Sequence, residues 1–283
     1  MKQISNGPLR VASIGQFGAE IDGLDLSESL TPKIVEQLNA TLATFQFIVI
    51  RRQPLCAEHQ LKLTRCFGDF EPGLSRRPAA HRVAGFPDLL YLSNEIGSTT
   101  ADYGMGWHSD GLAYAKKPHG ATILHCLACP PGTGGTLLAD QYDAYARLPE
   151  SVQRRIEGMY WYLPKVPHSE VPEGKALLQP MVRVHEVTGR KFVFCSPSAN
   201  RIKGLSAQQS DEIFNEVRRF QVTNANVYCH NWEAEDTLIW ENSTLLHSKA
   251  SPVNFFDQGL RAMHRSATSG DFEAIEESIS SSD

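Results

Sequence analysis

Short apolar runs broken by glycine and polar residues dominate the 283-residue chain, and helical spacing is confined to a few stretches. Residues 9–25 break small apolar pieces with glycine, which predicts short strands and turns. Thr31-Pro32 opens a helix, with Thr31 as N-cap and Pro32 at the first helical position. Ile34, Leu38, Leu42 and Phe45 form its apolar stripe. Phe47-Ile48-Val49-Ile50 reads as a buried strand ended by Arg51-Arg52-Gln53-Pro54, and a second helix runs from about 57 to 66. Beyond 107 the pattern gives strands within 118–127 and over 136–139, separated by a glycine turn at 132–135. Helices follow over 140–148 and 149–159, then a hairpin with arms 182–185 and 191–194. An amphipathic helix over 206–222 carries Ile213, Val217 and Phe220 on one side, with Ser206 as N-cap. Strands over 227–229, 236–240 and 260–267 complete the series.

Two stretches fall outside this regular pattern. Residues 70–106 are rich in Pro, Gly, Arg and Ser around one strand at 89–93, and read as a lid-like segment that covers a substrate. The tail from about 275 to 283 reads as disordered. With no repeat and no linker, the chain is expected to be a single domain, 1–283. Many short strands and a few helices kept to one side predict a mainly β fold with flanking helices, built on a double-stranded β-helix (jelly-roll, cupin-like) core.

Composition narrows the function classes. A hydrophobic share of 41% and a charged share of 21% are ordinary for a globular chain, and the net charge is −5. No lysine/arginine block stands out, so nucleic acid is not an expected partner. No apolar run reaches signal-peptide or membrane-spanning length, which points to a cytoplasmic protein with no membrane partner. The six cysteines are scattered, consistent with a reducing compartment. Cys126-Leu127-Ala128-Cys129 is a lone C-x-x-C without the second half of a zinc site, followed by prolines where a redox motif needs a helix start. Oligomeric state is not legible, and a homo-oligomer stays open.

The candidate chemistry centres on Trp107-His108-Ser109-Asp110. On a strand, alternate side chains share a face, so His108 and Asp110 aim an imidazole and a carboxylate at one point. That is two-thirds of the 2-His-1-carboxylate triad that holds non-haem Fe(II) and leaves coordination positions open. His247 is the candidate third ligand. A second His-x-acid, His168-Ser169-Glu170, lies between prolines and reads as loop. Further on, Arg261, Met263 and Arg265 share one strand face. Two cations on one face call for an anion between or over them, and guanidinium forks match carboxylates. A dicarboxylate cosubstrate and an anionic substrate fit that demand; a solvated strand edge is the plain alternative.

At this point the chain resembles the taurine/2,4-dichlorophenoxyacetate dioxygenase family of Fe(II)- and 2-oxoglutarate-dependent enzymes. The likeness rests on the opening Gly18-Ala19-Glu20-Ile21-Asp22-Gly23, on Phe67-Gly68-Asp69-Phe70, and on Trp107-His108-Ser109-Asp110. It continues through Val182-Arg183-Val184-His185 to Thr188-Gly189-Arg190-Lys191, Asn231-Trp232 to Trp240-Glu241-Asn242, and Arg261-Ala262-Met263-His264-Arg265. The resemblance implies that His108, Asp110 and His247 bind iron and are the catalytic centre. It implies that Arg261 grips the distal carboxylate of 2-oxoglutarate and that Arg265 meets the substrate's anion. Asn94 matches a position that often presents a polar group to the substrate. The family's Gly-Gly-x-Thr reads here as Gly134-Gly135-Thr136; counted back from Ala139-Asp140, Thr136 is in register to help hold 2-oxoglutarate.

The implied reaction consumes O2 and 2-oxoglutarate, releases succinate and CO2, and oxidises an unactivated C–H of a small, anionic metabolite or amino-acid derivative. Hydroxylation, desaturation and ring closure all stay open, while the presence of Asp110 disfavours halogenation. After the Phe-Gly element, 71–78 has no clear match to the segment that recognises taurine, so taurine is not the expected substrate. Two rivals share the scaffold: a metal-dependent hydrolase using the same three ligands, and a non-catalytic small-acid-binding barrel. His125 reads as a core histidine, and His185 and His264 as supporting ones. Tyr103 and Tyr114 flank the metal motif, and Phe255 and Phe256 suggest an apolar portion of the substrate.

Overall fold

The computed structural model describes residues 7–73, 78–95, 106–132, 134–165, 169–250 and 259–278. The strands in chain order are β1 (Arg10–Ile14), β2 (Gly18–Asp22), β3 (Phe47–Ile50), β4 (Arg82–Val83), β5 (Phe86–Ser93), β6 (His119–Ala128) and β7 (Thr136–Asp140). They continue with β8 (Tyr160–Tyr162), β9 (Lys175–Pro180), β10 (Val182–Val184), β11 (Lys191–Val193), β12 (Val227–His230), β13 (Thr237–Glu241), β14 (Leu245–Lys249), β15 (Ala262–Ser269) and β16 (Ile275–Ser278). Among the described residues five α-helices interleave: α1 (Pro32–Phe45), α2 (Ala57–Arg65), α3 (Gln141–Arg147), α4 (Glu150–Ile156) and α5 (Ala207–Gln221).

Eight strands form one large sheet in the order β1-β2-β3-β13-β6-β15-β5-β4, and β12-β7-β14 form a smaller one. Side-chain alternation sorts the large sheet's residues to its two faces. Phe47 and Val49 of β3, Leu124 and Cys126 of β6, Leu238 and Trp240 of β13, and Met263 of β15 point inward. There they meet Leu138 and Leu245 of the small sheet. Ile48, Ile50, Ile123 and Ile239 point the other way and pack under Leu38 and Leu42 of α1 and Leu63 of α2. Both faces are covered, which is why β3 and the Leu238–Trp240 centre of β13 are apolar without interruption. The sandwich of two sheets with flanking helices is the expected mainly β architecture.

The helices occupy two places rather than one side. α3, α4 and α5 build a separate core with Trp161, Leu177, Phe192 and Phe194 from the outlying strands. The caps follow the sequence signals. Ile34 N–H donates to Thr31 Oγ1 at 3.4 Å, and Ser206 and Gln209 form a reciprocal capping box.

Two readings need correction. Residues 275–278, expected to be disordered, are strand β16, paired antiparallel with β9. The polar Ile-Glu-Glu-Ser run belongs to an edge strand whose charges meet Lys175 and Lys203 at 3.5 and 2.8 Å. Residues 279–283 lie outside the described residues. The 70–106 segment is also more ordered than expected: a 3₁₀ turn at Ala79–His81 leads into β4 and the eight-residue β5, which joins β15 in the large sheet. Its residues 74–77 and 96–105, including Tyr103, lie outside the described residues, as do His168, Phe255 and Phe256.

Candidate metal centre and cosubstrate cavity

His108 sits just after Gly106, whose φ of +77° is a left-handed turn that suits glycine. It forms an isolated antiparallel bridge with His247 of β14. His108 N–H donates to His247 C=O at 3.0 Å and His247 N–H to His108 C=O at 2.7 Å. Two histidines 139 positions apart (247 − 108) are thereby held side by side, their ring centroids 4.2 Å apart. Asp110 completes the group: its Oδ1 is 4.0 Å from His108 Nε2 and its Oδ2 is 3.7 Å from His247 Nε2. Among the described residues these three form the cluster of metal-donor side chains, with one ligand atom of each within 4.8 Å of the others.

The protonation states suit a cation. The ring N–H at Nδ1 of His108 donates to Gly106 C=O at 2.8 Å, which turns Nε2 toward Asp110. Burial, reinforced by the neighbouring His108, pushes His247 down to about 3, so its imidazole is neutral. Burial alone raises the Asp110 carboxyl, but the Arg265 guanidinium, with His247 and His119, holds it well below the usual carboxylate range. Two imidazoles and one carboxylate are an octahedral metal's facial donor set. Geometry and charge therefore fit a divalent ion.

These residues open into a cavity of about 250 Å3 that Thr136, Arg261 and Arg265 also line. Gly134 (φ +65°) and Gly135 bring the chain into Thr136. A Cβ on Gly135 would stand 3.0 Å from Cys229 Sγ and 3.1 Å from Ala250 Cβ, so a side chain there would press its neighbours aside by a few tenths of an ångström. The Trp232 indole N–H donates to Thr136 Oγ1 at 3.0 Å, which leaves the hydroxyl proton for an acceptor in the cavity. Arg261 precedes β15 and is held so deeply that burial lowers its pKa; one guanidinium N–H reaches Gly134 C=O at 3.4 Å. Arg265 donates to Asp110 Oδ2 at 2.8 Å and to His119 Nδ1 at 3.4 Å. Both arginines enter the same cavity, as their even spacing predicts.

Asn94 is the misplaced candidate. It does not line the cavity. Its side-chain N–H donates to Gly259 C=O at 2.9 Å, and its Oδ1 accepts from Arg261 N–H at 3.0 Å. The amide is spent on backbone, and it bears on the cavity through Arg261. In exchange the cavity gains His81, Tyr114, His119 and Lys249. His119 stands 3.9 Å from Glu71 Oε1 as well as against Arg265. The sequence carried a signal for one more: Thr122 is polar at an inward-facing position of β6, between Gly120 and Leu124, and it donates to Asp110 Oδ2 at 3.0 Å. The supporting histidines behave as expected. His125 is buried against Thr237 Oγ1 at 2.9 Å, and His185 bonds Glu241 at 3.1 Å.

Comparison with known proteins follows from this geometry. Residues 7–267 match the family described as taurine catabolism dioxygenase TauD, TfdA family. A relative from Cupriavidus pinatubonensis, an alpha-ketoglutarate-dependent 2,4-dichlorophenoxyacetate dioxygenase, is 26% identical over 82% of this chain and 88% of its own. A (S)-phenoxypropionate/alpha-ketoglutarate-dioxygenase from Sphingobium herbicidovorans is 27% identical over 90% of this chain and 92% of its own. In fold the chain is similar to the crystal structure of a taurine dioxygenase from Burkholderia xenovorans, with a TM-score of 0.81 and 24% identity over 96% and 97% of the two chains.

Proposed function

The chain belongs to the taurine catabolism dioxygenase TauD, TfdA family, and is thereby a 2-oxoglutarate-dependent non-haem iron dioxygenase; from that premise we propose that it oxidises an unactivated C–H of a small organic acid, using O2 and Fe(II). The observation that carries the reading is the convergence of His108, Asp110, His247, Thr136 and Arg261 on one cavity. His108 and His247 would hold the ion through Nε2 and Asp110 through a carboxylate oxygen. When bound, ferrous iron with 2-oxoglutarate supplies the oxidising chemistry, with succinate and CO2 as coproducts. The protein positions and shields it.

Arg261 and Thr136 would take the distal carboxylate of 2-oxoglutarate, the guanidinium as a fork and the hydroxyl as a single donor. Arg265 and His119 offer donors on the side of Asp110, where a second acid would lie. Leu90, Leu92, Leu124 and Trp240 supply apolar wall to the same space. That combination supports a substrate with one anionic end and an apolar body, the chemical type named for the two dioxygenase relatives. A hydrolase on this scaffold would leave Thr136 and Arg261 without a task, and a plain acid-binding barrel would leave the His108, Asp110 and His247 donor set without one.

The test is succinate formation by the purified protein with Fe(II), 2-oxoglutarate and a panel of aryloxy, sulfonated and aliphatic acids. Succinate rising with one of these acids supports the reading. Asp110→Ala should abolish the substrate-dependent part, and retained turnover in that variant would remove Asp110 from the metal centre. Arg261→Met should raise the KM for 2-oxoglutarate by about 10- to 100-fold, the value of a charge-assisted hydrogen bond of about 1.5–3 kcal/mol.

A further inference from the structure

Asp110 has two oxygens, and the structure treats them differently. Oδ2 accepts from Thr122 Oγ1–H at 3.0 Å and from Arg265 at 2.8 Å. Each oxygen faces one imidazole, Oδ1 at 4.0 Å from His108 Nε2 and Oδ2 at 3.7 Å from His247 Nε2, but only Oδ2 also carries those two hydrogen bonds. We propose that Asn242 is a positioning residue which, acting through Thr122, selects Oδ1 as the single oxygen that Asp110 gives to the metal. This inference rests on the metal centre proposed above.

The argument is one of polarity. Asn242 is fully buried, so no water competes for its amide. Its Oδ1 accepts from the Trp240 indole N–H at 3.0 Å and from the Asp110 backbone N–H at 3.4 Å. Its Nδ2 donates to Gly120 C=O at 3.0 Å. An indole nitrogen can only donate and a carbonyl can only accept, so the amide has one permitted orientation. In that orientation the second Nδ2 proton goes to Thr122 Oγ1 at 2.6 Å. Thr122 is buried too, and its hydroxyl, already an acceptor, sends its proton to Asp110 Oδ2. Polarity set by Trp240 and Gly120 is thus passed through Asn242 and Thr122 to one carboxylate oxygen.

Strand register supplies the spacing. Thr122 of β6 is the cross-strand partner of Trp240 on β13, so the two share a face, and Asn242 follows two residues later. Asn242 also ties down the ligand segment from behind, its backbone C=O accepting from Ser109 Oγ at 2.6 Å. With Oδ2 bonded twice, swinging Asp110 to give both oxygens to the ion would break two hydrogen bonds. Asp110 would therefore offer a bound ion one oxygen, Oδ1.

Calorimetric titration with Co(II), together with the visible absorption of the Co(II) protein, tests this on the full chain. Thr122→Val keeps the shape and removes the hydroxyl. It should weaken Co(II) binding by about 10-fold or more, the usual cost of losing a partner behind a metal ligand, and should shift the Co(II) spectrum as Asp110 turns its second oxygen inward. Thr122→Ser restores the hydroxyl and should restore both readouts. Asn242→Asp cannot donate to Thr122, whose proton then turns away from Asp110; it should show the same spectral shift as Thr122→Val. Wild-type affinity and spectrum in Thr122→Val overturn the inference, as does failure of Thr122→Ser to rescue. Should Asp110→Ala bind Co(II) as tightly as wild type, the metal centre itself fails and this inference with it. Loss in Asp110→Ala beside an unchanged Thr122→Val sinks the positioning role alone.

Discussion

Arg261 enters the cavity from a stretch of backbone that belongs to no strand, and Asn94 is what pins that backbone. The two side-chain hydrogen bonds of Asn94, donated to Gly259 C=O and accepted from Arg261 N–H, are each worth about 0.5–1.5 kcal/mol. Asn94→Ala should raise the KM for 2-oxoglutarate by about tenfold, as expected for about 1.4 kcal/mol, and leave kcat nearly as it was. An equal fall in kcat with KM unchanged would instead put Asn94 in the chemistry. The sequence made the donors of the metal centre readable because ligand chemistry admits few residue types. His108, Asp110 and His247 meet as that chemistry demands. Thr122 and Asn242 were harder to see, since threonine and asparagine serve so many ordinary purposes. Thr122 was missed, and the one signal for it was the parity of β6, which puts a hydroxyl on an apolar inner face.

Among the elements, those with a period or a cap were legible and those defined by their neighbours were not. Thr31-Pro32 and Ser206 mark the starts of α1 and α5, and both caps are made. The short strands β4, β8 and β16 hold two to four residues, too few to show alternation, and they exist because a longer strand lies beside them. β16 reads as polar since its side chains face lysines rather than a core. The cap on α5 gives a clean separation of stability from catalysis, because its apolar side, Ile213, Phe214 and Val217, packs into the core away from the cavity. Ser206→Ala should cost about 1 kcal/mol and lower Tm by about 2–4 °C, with both KM values unchanged. A changed KM for 2-oxoglutarate would show that α5 is coupled to the site.

For the molecule as a whole, buried imidazoles set the response to acid. Burial lowers the pKa of His125, His230, His247 and His264, so each takes up a proton less readily in the native chain than in the unfolded one. An unfolded histidine protonates near 6.5. Below that pH the unfolded chain binds more protons than the native one, and stability falls as pH falls. For His125, lowered to about 4, the loss at pH 5 relative to pH 8 is about 2 kcal/mol. Urea unfolding at the two pH values should therefore show a marked drop in stability, and His125→Asn should flatten it. An unchanged acid limb in that variant would mean His125 is charged in the native state. A slower consequence follows from the reciprocal backbone bonds between His108 and His247. Two of the three donors are synthesised in the first 110 residues, while the third arrives at 247. During synthesis the ribosome presents two donors of the three, with no His247 backbone to hold His108 at the right spacing. The choice among cellular ions is then deferred until the barrel has closed, and is made by finished geometry rather than by the growing chain.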